Sequence, residues 1–237
     1  MPAAARCFAL VPCAGIGERA QAGGRKQYAV IGGRSVVAHT LAALAAVREI
    51  EAVLVVLARE DQEFERHASA FTGTRSWVGR CGGASRAATV ANGLAELRAR
   101  GVGEADWVLV HDAARCLLRP AWVQALIAAC RDDAVGGLLA VPLPDTLKAA
   151  AHEAGAAPRV AATVPRHDKW LAQTPQMFRL GLLQRALATA GHEVSDEASA
   201  VEALGLAPLL VPGHAENFKL TWPADFELAA RLLETRR

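Results

Sequence analysis

Residues 7–19 read CFALVPCAGIGER, and this stretch decides the fold. Its first part, Cys7 to Val11, is a continuous apolar run of strand length, which is typical of a strand buried on both faces of a sheet. Its second part contains Gly15 and Gly17, which allow a tight turn and bring backbone N–H groups close to phosphate oxygens. The turn is neither a P-loop nor a dinucleotide fingerprint, since no GK[ST] follows and the third glycine of GxGxxG is missing. The segment can be interpreted as a plain structural turn or as a triphosphate-binding site. The cations Arg19 and Lys26 favour the triphosphate-binding site.

Apolar runs of strand length alternate with segments of helical period along most of the chain. This rhythm predicts an α/β protein with a mostly parallel sheet covered on both sides. We predict further strands at 52–57, 76–78, 107–111, 137–141, 170–173 and 208–211, with Lys219 on a short strand at 217–220. We predict helices near 60–70, 86–99, 180–190 and 196–204, with others opened by Ser35, Pro120 and Pro223. The rhythm breaks at about 144–168, which we interpret as an arm-like excursion, with a hairpin as its candidate form, from a single domain spanning 1–237.

The composition excludes several classes of protein. Of the 237 residues, 26 are basic and 24 acidic, and the basic residues are scattered, so a nucleic-acid partner is not expected. No apolar run approaches membrane length, and we expect no membrane partner. The five cysteines are odd in number and widely spaced, and no CxxC pair occurs, so neither a disulfide framework nor a zinc site is indicated. A reducing, cytoplasmic location fits this pattern best.

Several polar motifs follow the predicted strands. HDAAR at 111–115 stands at a strand end, where Asp112 could hold Mg²⁺ or hydroxyl groups and Arg115 could bind a phosphate. GGASRAAT at 82–89 combines two glycines with a capping serine. An Asp–Arg pair that closes a strand and a glycine turn with a helix cap are the structural alternatives for these two motifs. DTLK at 145–148, TPQ at 174–176 and NFKLTWP at 217–223 are individually weak signals.

Taken in order, the motifs PCAGIGER, KQ, GGASRAATV, HDAAR, DTLK, TPQMF, DEA and NFKLTWPAD resemble those of one enzyme family. It is the 2-C-methyl-D-erythritol 4-phosphate cytidylyltransferases of the non-mevalonate isoprenoid pathway, and the resemblance covers nearly the whole chain. It implies a GT-A-like nucleotidyltransferase fold, with a modified doubly wound sheet and a protruding arm that builds a homodimer. It also implies Mg²⁺-dependent attack of methylerythritol phosphate on the α-phosphate of CTP, with release of pyrophosphate.

The resemblance also implies roles for particular residues. The triphosphate would be held by Ala14, Gly15, Gly17, Arg19 and Lys26, of which Arg19 and Lys26 are the expected catalytic residues. The cytosine and ribose would be surrounded by Gly82, Arg86 and Thr89. Methylerythritol phosphate would be bound by Asp112, Arg115, Thr146, Lys219 and, across the dimer, Arg166 and Ser195. Mg²⁺ would be held mainly by the CTP phosphates, with Asp112 as a candidate ligand.

Three other functions compete with this interpretation. A cytidylyltransferase acting on ribitol 5-phosphate would differ only in the acceptor pocket, which one sequence does not resolve. A Rossmann-type oxidoreductase would need GxGxxG and an acidic residue after the second strand, a place that Glu60 or Asp61 could take, but the glycine pattern fails. A catalytically inactive nucleotide-binding regulator is disfavoured because Arg19, Lys26, Asp112 and Lys219 are all present. A fusion with a cyclodiphosphate synthase is not expected from the length of the chain.

Overall fold

The computed structural model describes residues 5–15, 25–151, 155, 157–190 and 194–236. These residues form strands and helices that alternate along most of the chain. The strands are β1 (Cys7–Pro12), β2 (Val30–Ile31), β3 (Arg34–Ser35), β4 (Ile50–Val56), β5 (Ser76–Gly79), β6 (Trp107–Val110), β7 (Gly136–Pro142), β8 (Leu147–Ala151), β9 (Arg159–Val164), β10 (Trp170–Arg179) and β11 (Leu209–Pro212). The helices are α1 (Val36–Ala45), α2 (Phe64–His67), α3 (Arg86–Ala99), α4 (Pro120–Cys130), α5 (Leu180–Ala190), α6 (Glu197–Glu202) and α7 (Pro223–Glu234), with a short 3-10 helix at Lys26–Tyr28.

Seven strands form the central sheet in the order β11-β7-β10-β6-β1-β4-β5. Neighbouring strands are parallel except at β10, which runs antiparallel to both β6 and β7. The central strand β1 contributes to a different apolar cluster on each face. Ala9 and Val11 pack into one cluster, while Phe8 and Leu10 pack into the other. The predicted α/β class, with a mostly parallel sheet covered on both sides, is therefore confirmed.

Local signals set several helix starts. The side chains of Ser35 and Ser85 accept hydrogen bonds from the backbone N–H groups of Ala38 and Ala88, which caps α1 and α3. Pro120 occupies the first turn of α4, where its missing N–H is not needed. The predicted helices at 86–99 and 180–190 match α3 and α5 at both ends.

Three local predictions differ from the structure in extent or in kind. The helix expected near 60–70 is reduced to the single turn α2. The Asp61 carboxylate accepts hydrogen bonds from the N–H groups of Glu63 and Phe64, so the helix begins only at Phe64. The strand expected at 170–173 continues to Arg179, since its second half is buried between β6 and β7. Lys219 does not lie on a strand; its segment is joined to the HDAAR loop by the hydrogen bond from the Leu220 N–H to the Ala114 carbonyl, at 2.9 Å.

The excursion after β7 is a two-stranded antiparallel hairpin of β8 and β9. Nearly every described residue of the two strands is exposed, and the Val160 side chain is among the most exposed apolar groups of the described chain. The hairpin leads directly into β10, whose pairing with β7 shifts register between Ala172 and Gln176. The arm therefore forms a small sheet of its own, separate from the seven-stranded sheet. Among the described helices, none is long and apolar enough to cross a membrane.

Candidate functional site

A cleft of about 370 Å³ opens at the carboxyl ends of β1 and β6. This is the edge at which open α/β sheets bind ligands. Its walls come from five segments that the sequence singled out: the turn after β1, the 3-10 helix, the start of α3 with the loop before it, the loop after β6 and the segment that carries Lys219. Among the residues that line it are Ala14, Gly15, Lys26, Arg86, Thr89, Asp112 and Lys219. Gly17 and Arg19 lie outside the described residues.

Gln27 joins two of these segments. Its side-chain amide donates to the carbonyl oxygens of Cys13, at 3.3 Å, and Gly15, at 2.9 Å. The neighbouring Lys26 ammonium donates to the Leu220 carbonyl at 3.2 Å. The turn after β1, the 3-10 helix and the segment that carries Lys219 are therefore held against one another.

Gly82 supports the cleft from behind. Its N–H donates to the Leu57 carbonyl at 2.8 Å. A Cβ atom at Gly82 would lie 2.4 Å from the Cβ of Ala14 and 2.8 Å from the Leu57 carbonyl oxygen, so no other residue fits there without displacing backbone. Gly83, which does line the cleft, donates its N–H to the Thr89 hydroxyl at 3.1 Å. Thr89 in turn donates to the Ser85 carbonyl at 2.9 Å, so its hydroxyl shapes the loop.

Arg86 is engaged by two carboxylates of its own chain. Its Nε lies 2.9 Å from Asp112 Oδ1, and its two terminal nitrogens lie 2.7 and 3.0 Å from the two oxygens of Glu197. Three of the five N–H groups of the guanidinium are thus used within the chain. Arg86 connects α3, the loop after β6 and the first residue of α6, which makes it primarily a structural clamp at the edge of the cleft.

Asp112 is surrounded by positive charge. Besides Arg86, the Lys219 ammonium lies 3.0 Å and the Arg115 Nε 3.7 Å from its Oδ2. Burial alone would raise the pKa of Asp112, but the charges of Arg86, Lys219 and Arg115 outweigh burial and hold that pKa below its ordinary range. The Asp112 side chain is therefore an anion at any working pH, within a cluster that is net positive.

A second, smaller cleft of about 170 Å³ adjoins the first. Arg86, Asp112 and Lys219 line both clefts and form the wall between them. The second cleft is completed by Arg115, Ala172, Gln173, Thr174, Gln176, Ser195 and Asp196. Ser195 was expected across a dimer, but the structure places it in the cleft of its own chain.

His111 and Thr174 hold the loop after β6 from beneath. The Thr174 hydroxyl accepts the Asp112 N–H at 3.0 Å, so its own proton points to His111 Nδ1, also 3.0 Å away. The remaining ring nitrogen, Nε2, then carries the proton and donates to the Arg115 carbonyl at 3.2 Å. Burial lowers the pKa of His111 to about 4, so the ring is neutral and this arrangement is stable near neutrality.

Two expected site residues lie away from both clefts. Thr146 precedes β8 and Arg166 follows β9, both are exposed, and the Arg166 guanidinium donates to the Pro144 carbonyl. Both residues belong to the arm. Within one chain, the structure therefore does not bring them to Asp112.

The sequence did not identify Glu197, Gln27 or Thr174 as parts of this arrangement. All three are polar side chains that are buried. Glu197 lies in the DEA motif, Gln27 in KQ and Thr174 in TPQ, so the motifs marked their places. What was missing was the set of partners, which only the packing of distant segments provides.

Among the described residues, no group of three or more His, Cys, Asp or Glu side chains is placed to hold a metal ion. Among the described residues that line the larger cleft, Asp112 is the single carboxylate. Mg²⁺ commonly takes one or two protein carboxylates and fills its shell with substrate phosphates and water. The residues present fit a cation that arrives with a nucleoside triphosphate and is held mainly by its phosphates, because the Asp112 carboxylate is already paired with Arg86 and Lys219.

Comparisons with known proteins point to one enzyme family. Residues 7–235 match the family model described as IspD, 2-C-methyl-D-erythritol 4-phosphate cytidylyltransferase. The chain is 53% identical over 230 residues to the 2-C-methyl-D-erythritol 4-phosphate cytidylyltransferase of Chromobacterium violaceum, covering 97% of this chain and 98% of the relative. It is 58% identical over 231 residues to the bifunctional enzyme IspD/IspF of Albidiferax ferrireducens, covering 98% of this chain but only 54% of that relative's length.

The fold is shared with solved structures as well. The crystal structure of a 4-diphosphocytidyl-2C-methyl-D-erythritol synthase superposes with a TM-score of 0.84 at 43% identity, covering 97% of this chain and 99% of the other. This likeness confirms the predicted nucleotidyltransferase fold. Because the family model matches residues 7–235, which is nearly the whole chain, the chain belongs to the 2-C-methyl-D-erythritol 4-phosphate cytidylyltransferase family.

Proposed function

We propose that this chain transfers CMP from CTP to 2-C-methyl-D-erythritol 4-phosphate, giving 4-diphosphocytidyl-2-C-methyl-D-erythritol and pyrophosphate for isoprenoid precursor synthesis. Family membership supports the cytidylyltransferase activity. The structural observation that carries the proposal is the wall of Arg86, Asp112 and Lys219 between two clefts of unequal size. The larger cleft suits the nucleotide, and the smaller one suits the phosphorylated acceptor.

The reaction needs no covalent intermediate with the enzyme. An oxygen of the acceptor phosphate attacks the α-phosphorus of CTP, and the bond from that phosphorus to the pyrophosphate oxygen breaks. The enzyme mainly has to hold two mutually repelling anions in line, and such alignment can lower the barrier by about 7–11 kcal/mol. Lys219 and Arg115 provide positive charge on the acceptor side, next to the Asp112 anion.

On the nucleotide side, Ala14 and Gly15 offer backbone groups to the triphosphate, and Lys26 lines the same cleft. We assign Arg19, Gly17 and Lys26 to the triphosphate as the family pattern implies, with Arg19 and Lys26 stabilising the charge of the transition state. When bound, Mg²⁺ would neutralise triphosphate charge, with Asp112 as the protein group that could hold it.

Two further parts of the proposal concern the setting of the reaction. We propose a homodimer in which the arm of one chain brings Thr146 and Arg166 to the partner's acceptor cleft, since both residues lie outside the clefts of their own chain. We also place the enzyme in the cytoplasm. The five cysteines are all free thiols, which suits a reducing compartment.

The test is pyrophosphate release from CTP and Mg²⁺ with either methylerythritol phosphate or ribitol 5-phosphate as acceptor. We expect release with methylerythritol phosphate alone. Release with ribitol 5-phosphate alone would refute the acceptor assignment while keeping the chemistry. Release with neither would refute the proposed function, and omission of Mg²⁺ tests the metal requirement in the same assay.

A further inference from the structure

Asp61 is a buried carboxylate that lies outside the two clefts. The proposed chemistry does not use it. It lies in the loop after β4 and is 2% exposed. Its Oδ1 accepts the backbone N–H groups of Glu63, at 3.0 Å, and Phe64, at 3.2 Å. Its Oδ2 accepts the Tyr28 hydroxyl at 2.6 Å and pairs with the Arg25 guanidinium. Four donors therefore converge on one side chain.

Two of these donors flank the lysine expected to act on the triphosphate. The sequence there is Arg25-Lys26-Gln27-Tyr28, so the residue before Lys26 and the second residue after it bind the same carboxylate. The Tyr28 N–H also donates to the Arg25 carbonyl at 2.9 Å, which closes the turn. The backbone that carries Lys26 is thus fixed on both sides.

The opposite side of this turn is fixed as well. Gln27 donates to the carbonyls of Cys13 and Gly15, and the Tyr28 ring stacks on His67 with centroids 4.6 Å apart and planes 9° from parallel. Lys26 is the member of the turn whose ammonium lies over the cleft, 3.2 Å from the Leu220 carbonyl. A lysine side chain is flexible, so the position of its ammonium depends on the backbone that carries it.

The protonation states keep this anchor in place. Burial alone would raise the pKa of Asp61, but the Tyr28 hydroxyl, the backbone N–H groups and the Arg25 charge outweigh burial and lower it. Burial and the contact with Asp61 together raise the pKa of Tyr28. Near neutral pH, Asp61 is therefore an anion and Tyr28 retains the proton that it donates.

We propose that Asp61 is a positioning residue for nucleotidyl transfer, which holds Lys26 at the triphosphate by binding Arg25 and Tyr28. The inference rests on the proposed function, in which Lys26 stabilises the transition state. It also gives Asp61 a use different from the ribose contact that an oxidoreductase would need, because protein donors already occupy both of its oxygens. A small displacement of a reacting group is costly, since misplacement by about 1 Å can slow catalysis about 100-fold.

The test compares Asp61→Asn, Lys26→Ala and the double variant in the full reaction. Asparagine keeps the size of the side chain and an acceptor for Glu63 and Phe64, but removes the charge that binds Arg25. We expect Asp61→Asn to lower kcat about 10- to 100-fold, with a smaller change in the KM for CTP. If Asp61 acts through Lys26, the double variant should be no slower than Lys26→Ala alone.

Two further variants keep the test decisive. Glu60→Gln, an equal change of charge at the exposed neighbouring residue, should leave kcat and KM unchanged. Tyr28→Phe removes a single hydrogen bond to Asp61 and should also lower kcat, by a smaller factor than Asp61→Asn. It provides the test if Asp61→Asn fails to fold. The positioning role is wrong if Lys26→Ala lowers kcat while folded Asp61→Asn and Tyr28→Phe keep the wild-type value, or if Asp61→Asn slows Lys26→Ala further. If Lys26→Ala itself keeps full kcat, the assignment of Lys26 fails and the positioning role fails with it.

Discussion

At the scale of single residues, His111 shows how a buried titratable group supports the site without touching a substrate. The ring is fully buried and, in its neutral form, links the Thr174 hydroxyl to the Arg115 carbonyl. Protonation would add a hydrogen to Nδ1, which now accepts from Thr174, and would place a charge on a ring that is shielded from water. Both effects oppose the folded arrangement of the loop that carries Asp112 and Arg115.

This gives a prediction for stability against pH. Burial lowers the pKa of His111 from 6.5 to about 4, so below pH 6.5 the unfolded chain binds a proton that the folded chain does not. The neutral His111 ring contributes fully to the free energy of unfolding above pH 6.5. This contribution is lost as the pH falls toward 4, and the loss amounts to about 3 kcal/mol over that window. Urea unfolding at several pH values should show this loss in the wild type beyond that in His111→Gln. Parallel curves for the two proteins would contradict the prediction.

At the scale of elements, the sequence predicted what local signals control. The capping serines at 35 and 85 and the apolar run at 7–11 gave helices and a strand close to those observed. The predictions that failed concern segments whose local structure depends on residues distant in the chain. Asp61 is held by Tyr28 and Arg25, 33 and 36 residues before it in the chain, and from there it reduces the predicted helix at 60–70 to one turn. Burial between β6 and β7 extends β10 well past Gln173.

The same distinction applies to the candidate site. Motifs located Asp112, Lys219 and Arg86, because each stands in a short recognisable pattern. Their mutual contacts could not be predicted, since Arg86 and Glu197 are 111 residues apart in the chain. They meet because α6 packs against α5 and is joined to β10 by the Gln176 side chain. Sequence could name the side chains but could not show that Arg86 clamps two carboxylates.

The hairpin of β8 and β9 yields a prediction about assembly. An isolated two-stranded hairpin is marginally stable in water, and the described residues of β8 and β9 are nearly all exposed, so we expect a second chain to cover the arm. Val160 is 66% exposed, and Val160→Lys should bury a charge in that contact and weaken the dimer about 10-fold or more. Val30 has the same exposure and lies outside the arm, so Val30→Lys is a matched control. Sedimentation equilibrium measures both, and equal dissociation constants for the two variants would count against the arm as the interface.

At the scale of the whole molecule, a shared site can be tested by mixing two damaged enzymes. Lys26→Ala should disable the nucleotide cleft, and Arg166→Ala should weaken acceptor binding in the partner's cleft. Each mixed dimer then has one site with both changes and one with neither. After random exchange of chains in equal amounts, turnover at low acceptor concentration should reach about a quarter of wild type. Activity no higher than the average of the two parents would show that Arg166 serves its own chain.

The placement of β10 also sets the order in which the molecule can be completed during synthesis. β1, β4, β5 and β6 are all made by residue 110, and they can form one half of the sheet as soon as they leave the ribosome. β7 is made next, yet it joins that half only through β10, which follows the whole arm. Until residue 179 has emerged, the apolar edge of β6 has no neighbour on that side. A nascent chain paused over the arm therefore presents an open strand edge, and this is the interval in which a chaperone would matter most.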